Sequence, residues 1–105
     1  MPEKKDIQNV INYLDLSPHP EGGYYREIYR SSEKVHRSGS KIRSAATSIY
    51  FLIPAGVCTN WHRVSADELW HFYKGDKLML EIIDENGTWN QLKLHNQLDA
   101  DADFQ

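Results

Sequence analysis

Turn signals cut the second half of the chain into short runs: Pro54-Ala55-Gly56, then Gly75-Asp76, then Asp84-Glu85-Asn86-Gly87. Between them lie Ala46 to Ile53, Trp61 to Val64, Glu68 to Tyr73, Leu78 to Ile83 and Thr88 to Leu94, rich in β-branched and aromatic residues. Runs of that length and composition read as strands, and Asn86-Gly87 is the strongest short-range hairpin signal a chain carries. Consecutive short strands with close, regular turns predict a β-sandwich or barrel. Only one segment has helical spacing: Ile7, Val10, Ile11 and Leu14 form a stripe that predicts a helix from Lys4 to Leu14, packed outside the sheets and ended by Ser17-Pro18. The fold class is therefore mainly β with one N-terminal α-helix. Pro18-His19-Pro20-Glu21-Gly22-Gly23 is stiff, then permissive, and reads as a shaped loop feeding a strand over Tyr24 to Arg30. Ser31 to Ser44 is polar and without periodicity, which predicts a solvated, mobile loop; a ligand-closing role is the alternative.

A chain of 105 residues holds one domain with one modest core, here residues 1–105. Its 12 Lys and Arg stand against 15 Asp and Glu, but Asp99, Asp101 and Asp103 follow the last base, Lys93, so the rest is balanced. A neutral body argues against nucleic-acid binding, which needs a concentrated basic face, while leaving room for a small anionic ligand. The polar start and the lack of a long apolar run argue against a signal peptide or membrane span and give a cytoplasmic expectation. The single Cys58 excludes an internal disulfide and reads as a small buried apolar side chain.

From Gly56 to Gly75 the residues fall as Gly56, His62, Val64, Glu68 and Gly75, with spacings that match the first cupin motif, G-x5-H-x-H-x3-E-x6-G, except for Val64 in place of the second histidine. The strings Pro18 to Ser31, Arg43 to Gly56 and Trp61 to Gly75 resemble the cupin_5 family, also called the domain-of-unknown-function 985 family. That resemblance implies a jelly-roll β-barrel of the RmlC-like type. The second motif, G-x5-P-x-G-x2-H-x3-N, is absent after Gly75, where only Gly87 and no proline remain. The chain is thus expected to be a barrel that is C-terminally incomplete relative to the family, with open sheet edges and an exposed apolar interior that invite a second copy, hence a homodimer. Metal-binding cupins use the motif's histidines and glutamate with a further histidine. With Val64 there, His62 and Glu68 are two ligands where a stable site wants three or four, so no metal and no cofactor are expected.

On strands, residues two apart share a face. His62 and Val64 are expected to project together, as are Glu68, Trp70 and Phe72, lining a small-molecule pocket in the barrel; His71 is expected to point away with Leu69 and Tyr73 unless a bulge turns it inward. Likewise Tyr24, Arg26 and Ile28 share one face and Tyr25, Glu27 and Tyr29 the other. The run Glu21 to Glu27 is distantly similar to the nucleotide-holding segment of dTDP-sugar epimerases. That likeness implies His62 as base, Tyr50 or Tyr73 as acid, and Arg26 as partner of an anionic group. The plain alternative is that the aromatics fill a core and Arg26 sits in a surface pair. Three functions are open: a binding cupin for a sugar-like, sugar-nucleotide or other anionic ligand held by His62, Glu68, Trp70, Phe72, Arg26, Glu27, Tyr24 and Tyr50; an epimerase-like or isomerase-like enzyme centred on His62; or an inactive fragment that associates through its open edges.

Overall fold

The computed structural model describes residues 4–37, 41–64, 66–96 and 102–105. They form two compact units, one ending at Arg63 and one beginning at Val64.

The first unit opens with α1, Lys4–Leu14. Of its apolar stripe, Ile7, Ile11 and Leu14 are half-buried, while Tyr13, off the stripe, is exposed. The helix ends in a paired C-terminal motif: Leu16 N donates to Ile11 O at 2.9 Å and Asp15 N to Asn12 O at 3.3 Å, with Asp15 at φ 55°. These bonds satisfy two of the carbonyls a helix end leaves open, and they place Leu16 in the interior, the buried apolar residue of this unit. The stop therefore precedes Ser17–Pro18, which forms β1 and pairs with β2, Tyr24–Arg30. A proline is tolerated there because β1 lies at the end of the strand order. β2 pairs in turn with β5, Thr47–Leu52, giving the antiparallel order β1-β2-β5.

Between β2 and β5 the structure differs from expectation. Residues 31–44 are not a plain loop: β3, Lys34–Arg37, and β4, Lys41–Ser44, form an antiparallel hairpin. Half-burial is what writes alternation into a strand, and the residues described in this hairpin are exposed apart from Ser44 at its base, so no alternating pattern marked it. Ser31 anchors the hairpin. Buried at 9%, it donates its N–H to Ala46 O at 2.9 Å, accepts Ser44 Oγ on its carbonyl at 2.7 Å and Glu33 N on its hydroxyl at 3.1 Å.

The second unit is built on the hairpin of β6, Leu78–Ile83, and β7, Trp89–Leu94. Its turn is longer than a two-residue Asn-Gly loop: Gly87 N donates to Asp84 O at 2.9 Å, so Glu85 and Asn86 are the central residues and Gly87 takes the left-handed position at φ 81°. The Asp84 carboxylate accepts Asn86 N and Thr88 N, both at 2.9 Å. At the other end of the hairpin Leu94 is 3% exposed, with Leu78 and Leu80 half-buried on the same face by register. Asp103 pairs alongside Leu94 through His95 N to Asp103 O at 2.8 Å and Asp103 N to Lys93 O at 2.9 Å.

No regular strand forms over Trp61–Val64 or Glu68–Tyr73. Composition favoured strands there, but a strand exists only as a ladder, and the described backbone bonds of these stretches are isolated, such as Phe72 N to Phe104 O at 2.9 Å. The chain is mainly β with one helix, in separate antiparallel sheets whose ladders do not close into a barrel among the described residues. Cys58, expected to be buried, is exposed, because it lies in the irregular segment that follows β5 and not on a sheet face. No described helix is long and apolar enough to cross a membrane.

Candidate functional site

The β2–β5 ladder brings most of the first unit's functional candidates together. Register places Tyr24 opposite Leu52, Arg26 opposite Tyr50, Tyr25 opposite Phe51 and Glu27 opposite Ile49. Tyr24, Arg26 and Tyr50 thus share one face, and the Arg26 guanidinium carbon lies 6.0 Å from the Tyr50 ring centroid, within reach of a cation–π contact. Tyr24 and Tyr50 are half-buried and Arg26 is exposed.

A bulge interrupts the alternation at Ile28. Glu27 pairs with Ile49 but Tyr29 pairs with Ser48, so Ile28 is the extra residue. Each later side chain of β2 is turned to the opposite face from simple alternation: Tyr29 joins the face of Tyr24 and Arg26, not that of Tyr25 and Glu27. Arg30 correspondingly returns to the Glu27 face, which is why an ion pair three residues apart, impossible across a regular strand, forms here with Arg30 Nε 3.2 Å from Glu27 Oε2. That hydrogen bond first, and the carboxylate's charge second, hold the Arg30 guanidinium above its ordinary pKa, with a small opposing desolvation. The contribution of a raised guanidinium pKa is lost only as pH climbs through the arginine range, so this shift brings no pH dependence near neutrality. It is a scaffold contact, and Glu27 is engaged in it.

The opposite face holds a residue that the sequence pattern did not single out. His19 stacks on Phe51, with centroids 4.9 Å apart at 26°, and meets the Tyr25 ring edge-on at 4.8 Å and 77°. Its loop is closed by His19 N to Gly23 O at 2.9 Å and Gly22 N to His19 O at 3.0 Å, and Glu21 N donates to His19 Nδ1 at 3.0 Å. Gly23 has φ 77°, and a Cβ there would stand 2.7 Å from Leu52 O, so only glycine seats this loop against β5. A lone histidine between two prolines has no periodic signature; the signal was Gly22-Gly23, which marks backbone in close approach.

His62 is exposed, and its Nδ1 lies 2.9 Å from Asn60 O. A carbonyl only accepts, so Nδ1 carries the hydrogen and, in the neutral ring, Nε2 keeps its lone pair. Val64, Glu68, Trp70, Phe72 and Tyr73 belong to the second unit. There Trp70 and Phe72 are half-buried while Glu68, Leu69, His71 and Tyr73 are exposed, so alternation in burial persists from Leu69 to Tyr73 without a ladder, and Glu68 does not share the burial of Trp70 and Phe72. Phe72 packs edge-on to His95 at 5.4 Å, and His71 Nδ1 lies 2.6 Å from Gln105 Oε1.

With this geometry in view, the comparisons with known proteins are consistent. The sequence matches the family described as Cupin superfamily (DUF985) over residues 8–105. The chain belongs to that family. It superposes on the crystal structure of protein SO0799 from Shewanella oneidensis with a TM-score of 0.81 and 34% identity, covering 99% of this chain and 61% of that one. A hypothetical protein from Leishmania major matches with a TM-score of 0.77 and 35% identity, covering 86% of this chain and 57% of the other. The chain thus spans about three-fifths of the length of either structure. No curated protein matches. The fold of this DUF985 cupin is accordingly cupin-like. Where the cupin motif has its second histidine this chain has Val64, which carries no ligating atom, and no group of three or more His, Cys, Asp or Glu side chains gathers among the described residues.

Proposed function

We propose that this cupin binds a small anionic, sugar-like molecule on the β2–β5 face that carries Tyr24, Arg26 and Tyr50. One observation carries the reading: Arg26 stands opposite Tyr50 in register with its guanidinium over the ring, yet remains exposed. A guanidinium held at cation–π distance from an aromatic ring keeps its N–H fork for a carboxylate or phosphate. Tyr24 and, through the bulge, Tyr29 flank Arg26 on the same face and add flat amphipathic surface of the kind that packs against a sugar ring. A sugar nucleotide satisfies both requirements, since it joins phosphates to rings.

A second reading, an epimerase-like or isomerase-like proton transfer, is favoured by His62, whose Nδ1 bond to Asn60 O leaves Nε2 as the basic atom. Tyr50 is the acid candidate in the same unit.

Titration with dTDP-glucose, glucose 1-phosphate and glucose tests the first reading. The two phosphate-bearing probes should bind and glucose should not, and Arg26→Ala should weaken them by roughly 10- to 150-fold, the scale of a hydrogen bond to a charged group. Equal affinity for all three, or an Arg26→Ala variant that binds as the parent does, would remove it. Deuterium entering the bound sugar from solvent, and lost in His62→Ala, would establish the second.

A further inference from the structure

Two histidines, His19 and His62, stand at the ends of one run of hydrogen bonds. Glu21 N donates to His19 Nδ1 at 3.0 Å, Asn60 N donates to Glu21 O at 2.8 Å, and His62 Nδ1 lies 2.9 Å from Asn60 O. All four residues lie in the first unit. An amide N–H can only donate, so the His19 Nδ1 is an acceptor, and the ring hydrogen of that tautomer sits on Nε2. A carbonyl can only accept, so the His62 Nδ1 is a donor and, in the neutral ring, its Nε2 is bare. The two rings are opposite tautomers, and the backbone of Glu21 and Asn60 joins them.

The His19 end is the fixed one. Its ring is half-buried, stacked on Phe51 and edge-on to Tyr25, and its loop is seated against β5 where a Cβ on Gly23 would collide with Leu52 O. The His62 end is exposed, and its one described hydrogen bond goes to the chain that His19 begins. An exposed ring tied to a clamped one takes its orientation from the clamp, as outer partners orient the histidines of metal and acid–base sites.

We propose that His19 is a positioning residue for His62: through Glu21 and Asn60 it sets the Nδ1–H tautomer and the direction of the His62 lone pair. The value of that lone pair as a base rests on the enzymatic reading above, but the tautomer itself is measurable without ligand.

The experiment is long-range 1H–15N correlation on the uniformly labelled full chain, about two pH units above the ordinary histidine value of ~6.5 so that both rings are neutral. The parent should show Nε2–H at His19 and Nδ1–H at His62; either ring in the other form overturns the proposal before any variant is made. His19→Phe keeps an aromatic ring on Phe51 but removes the acceptor, and should move the His62 tautomer ratio toward Nε2–H by roughly two- to tenfold, the weight of one intramolecular hydrogen bond. His19→Asn restores an acceptor near the Nδ1 position and should return the ratio to the parent's. An unchanged ratio in His19→Phe, or equal shifts in both variants, would show that His19 only packs. Loss of dTDP-glucose binding or of solvent exchange leaves these populations untouched, so failure of the functional reading and failure of this one are separate results.

Discussion

The loops at His19–Gly23 and Asp84–Thr88 solve the same local problem in two settings. Each turns the chain with a glycine at positive φ, and in each a side chain accepts a backbone N–H two residues on: His19 Nδ1 from Glu21 and Asp84 Oδ1 from Asn86. Their surroundings differ. A Cβ on Gly23 would meet Leu52 O at 2.7 Å and Phe51 Cε1 at 2.9 Å, whereas one on Gly87 would meet nothing within 4 Å. The Asp84 loop is closed by its own residues and serves the hairpin alone. The His19 loop is pressed against β5 and bonded to Asn60, so its geometry is transmitted to other parts of the unit. Identical turn chemistry thus makes a free-standing joint in one place and a structural clamp in the other, and only the neighbours tell them apart.

The largest effect expected from this contrast is at Gly23. Gly23→Ala adds a methyl against a backbone oxygen that cannot rotate away, on top of the left-handed φ, and should destabilise by roughly 2 to 5 kcal/mol in equilibrium urea unfolding. Gly87→Ala carries the φ penalty alone, roughly 1 to 2 kcal/mol, partly offset by a stiffer unfolded chain, and should cost well under half as much. Equal losses at the two glycines would mean that the His19 loop is not seated against β5, and the clamp would go with it.

An intermediate effect belongs to Asp84. Its carboxylate takes two backbone N–H groups, which Asp84→Ala leaves to solvent because the loop is exposed. The expected loss is about 1 to 2 kcal/mol, with Asp84→Asn recovering about half. A loss as large as that at Gly23 would mean that the Asp84 loop, too, supports structure beyond its own hairpin.

The same contrast explains what could be read from the residues alone. Helix α1 and strands β2, β5, β6 and β7 were legible, all five to within a residue at each end, the helix from its partly buried apolar stripe and the strands from β-branched and aromatic runs set between turn signals. Hairpin β3–β4 was not, because its described residues are almost all exposed and neither face needed apolar residues. Residues 61–64 and 68–73 carried the composition of strands without the partners that make one. Of the candidate site, the face shared by Tyr24 and Arg26 followed from period two, Tyr50 joins it only through the β2–β5 register, and Tyr29 was assigned to the wrong side because a bulge is a defect in that period. His19 was invisible for a different reason: its partners are backbone atoms and rings brought near by the fold, and no pattern of side-chain types records them.

The smallest effect should appear where a left-handed position lacks the residue that favours it, and its sign should be reversed. Asp15 sits at φ 55° at the end of α1, a conformation Asp tolerates better than most residues but glycine adopts without penalty. Asp15→Gly relieves roughly 1 kcal/mol of that strain and gives back roughly 0.4 to 1 kcal/mol in unfolded-chain freedom, for a net gain of about 0.5 kcal/mol or less. The two bonds that close the helix, from Leu16 N to Ile11 O and from Asp15 N to Asn12 O, are main-chain bonds and survive the change. The substitution therefore probes the conformational term that Gly87→Ala probes with opposite sign, together with the loss of a negative charge at the helix C-terminus, which acts in the same stabilising direction. A midpoint shift toward higher urea in Asp15→Gly, smaller in size than the downward shift in Gly87→Ala, is the expected pair of results. A downward shift in Asp15→Gly would show that the Asp15 side chain holds the helix end through a contact of its own, and the glycine comparison at Gly23 would then have to be corrected for side-chain effects as well.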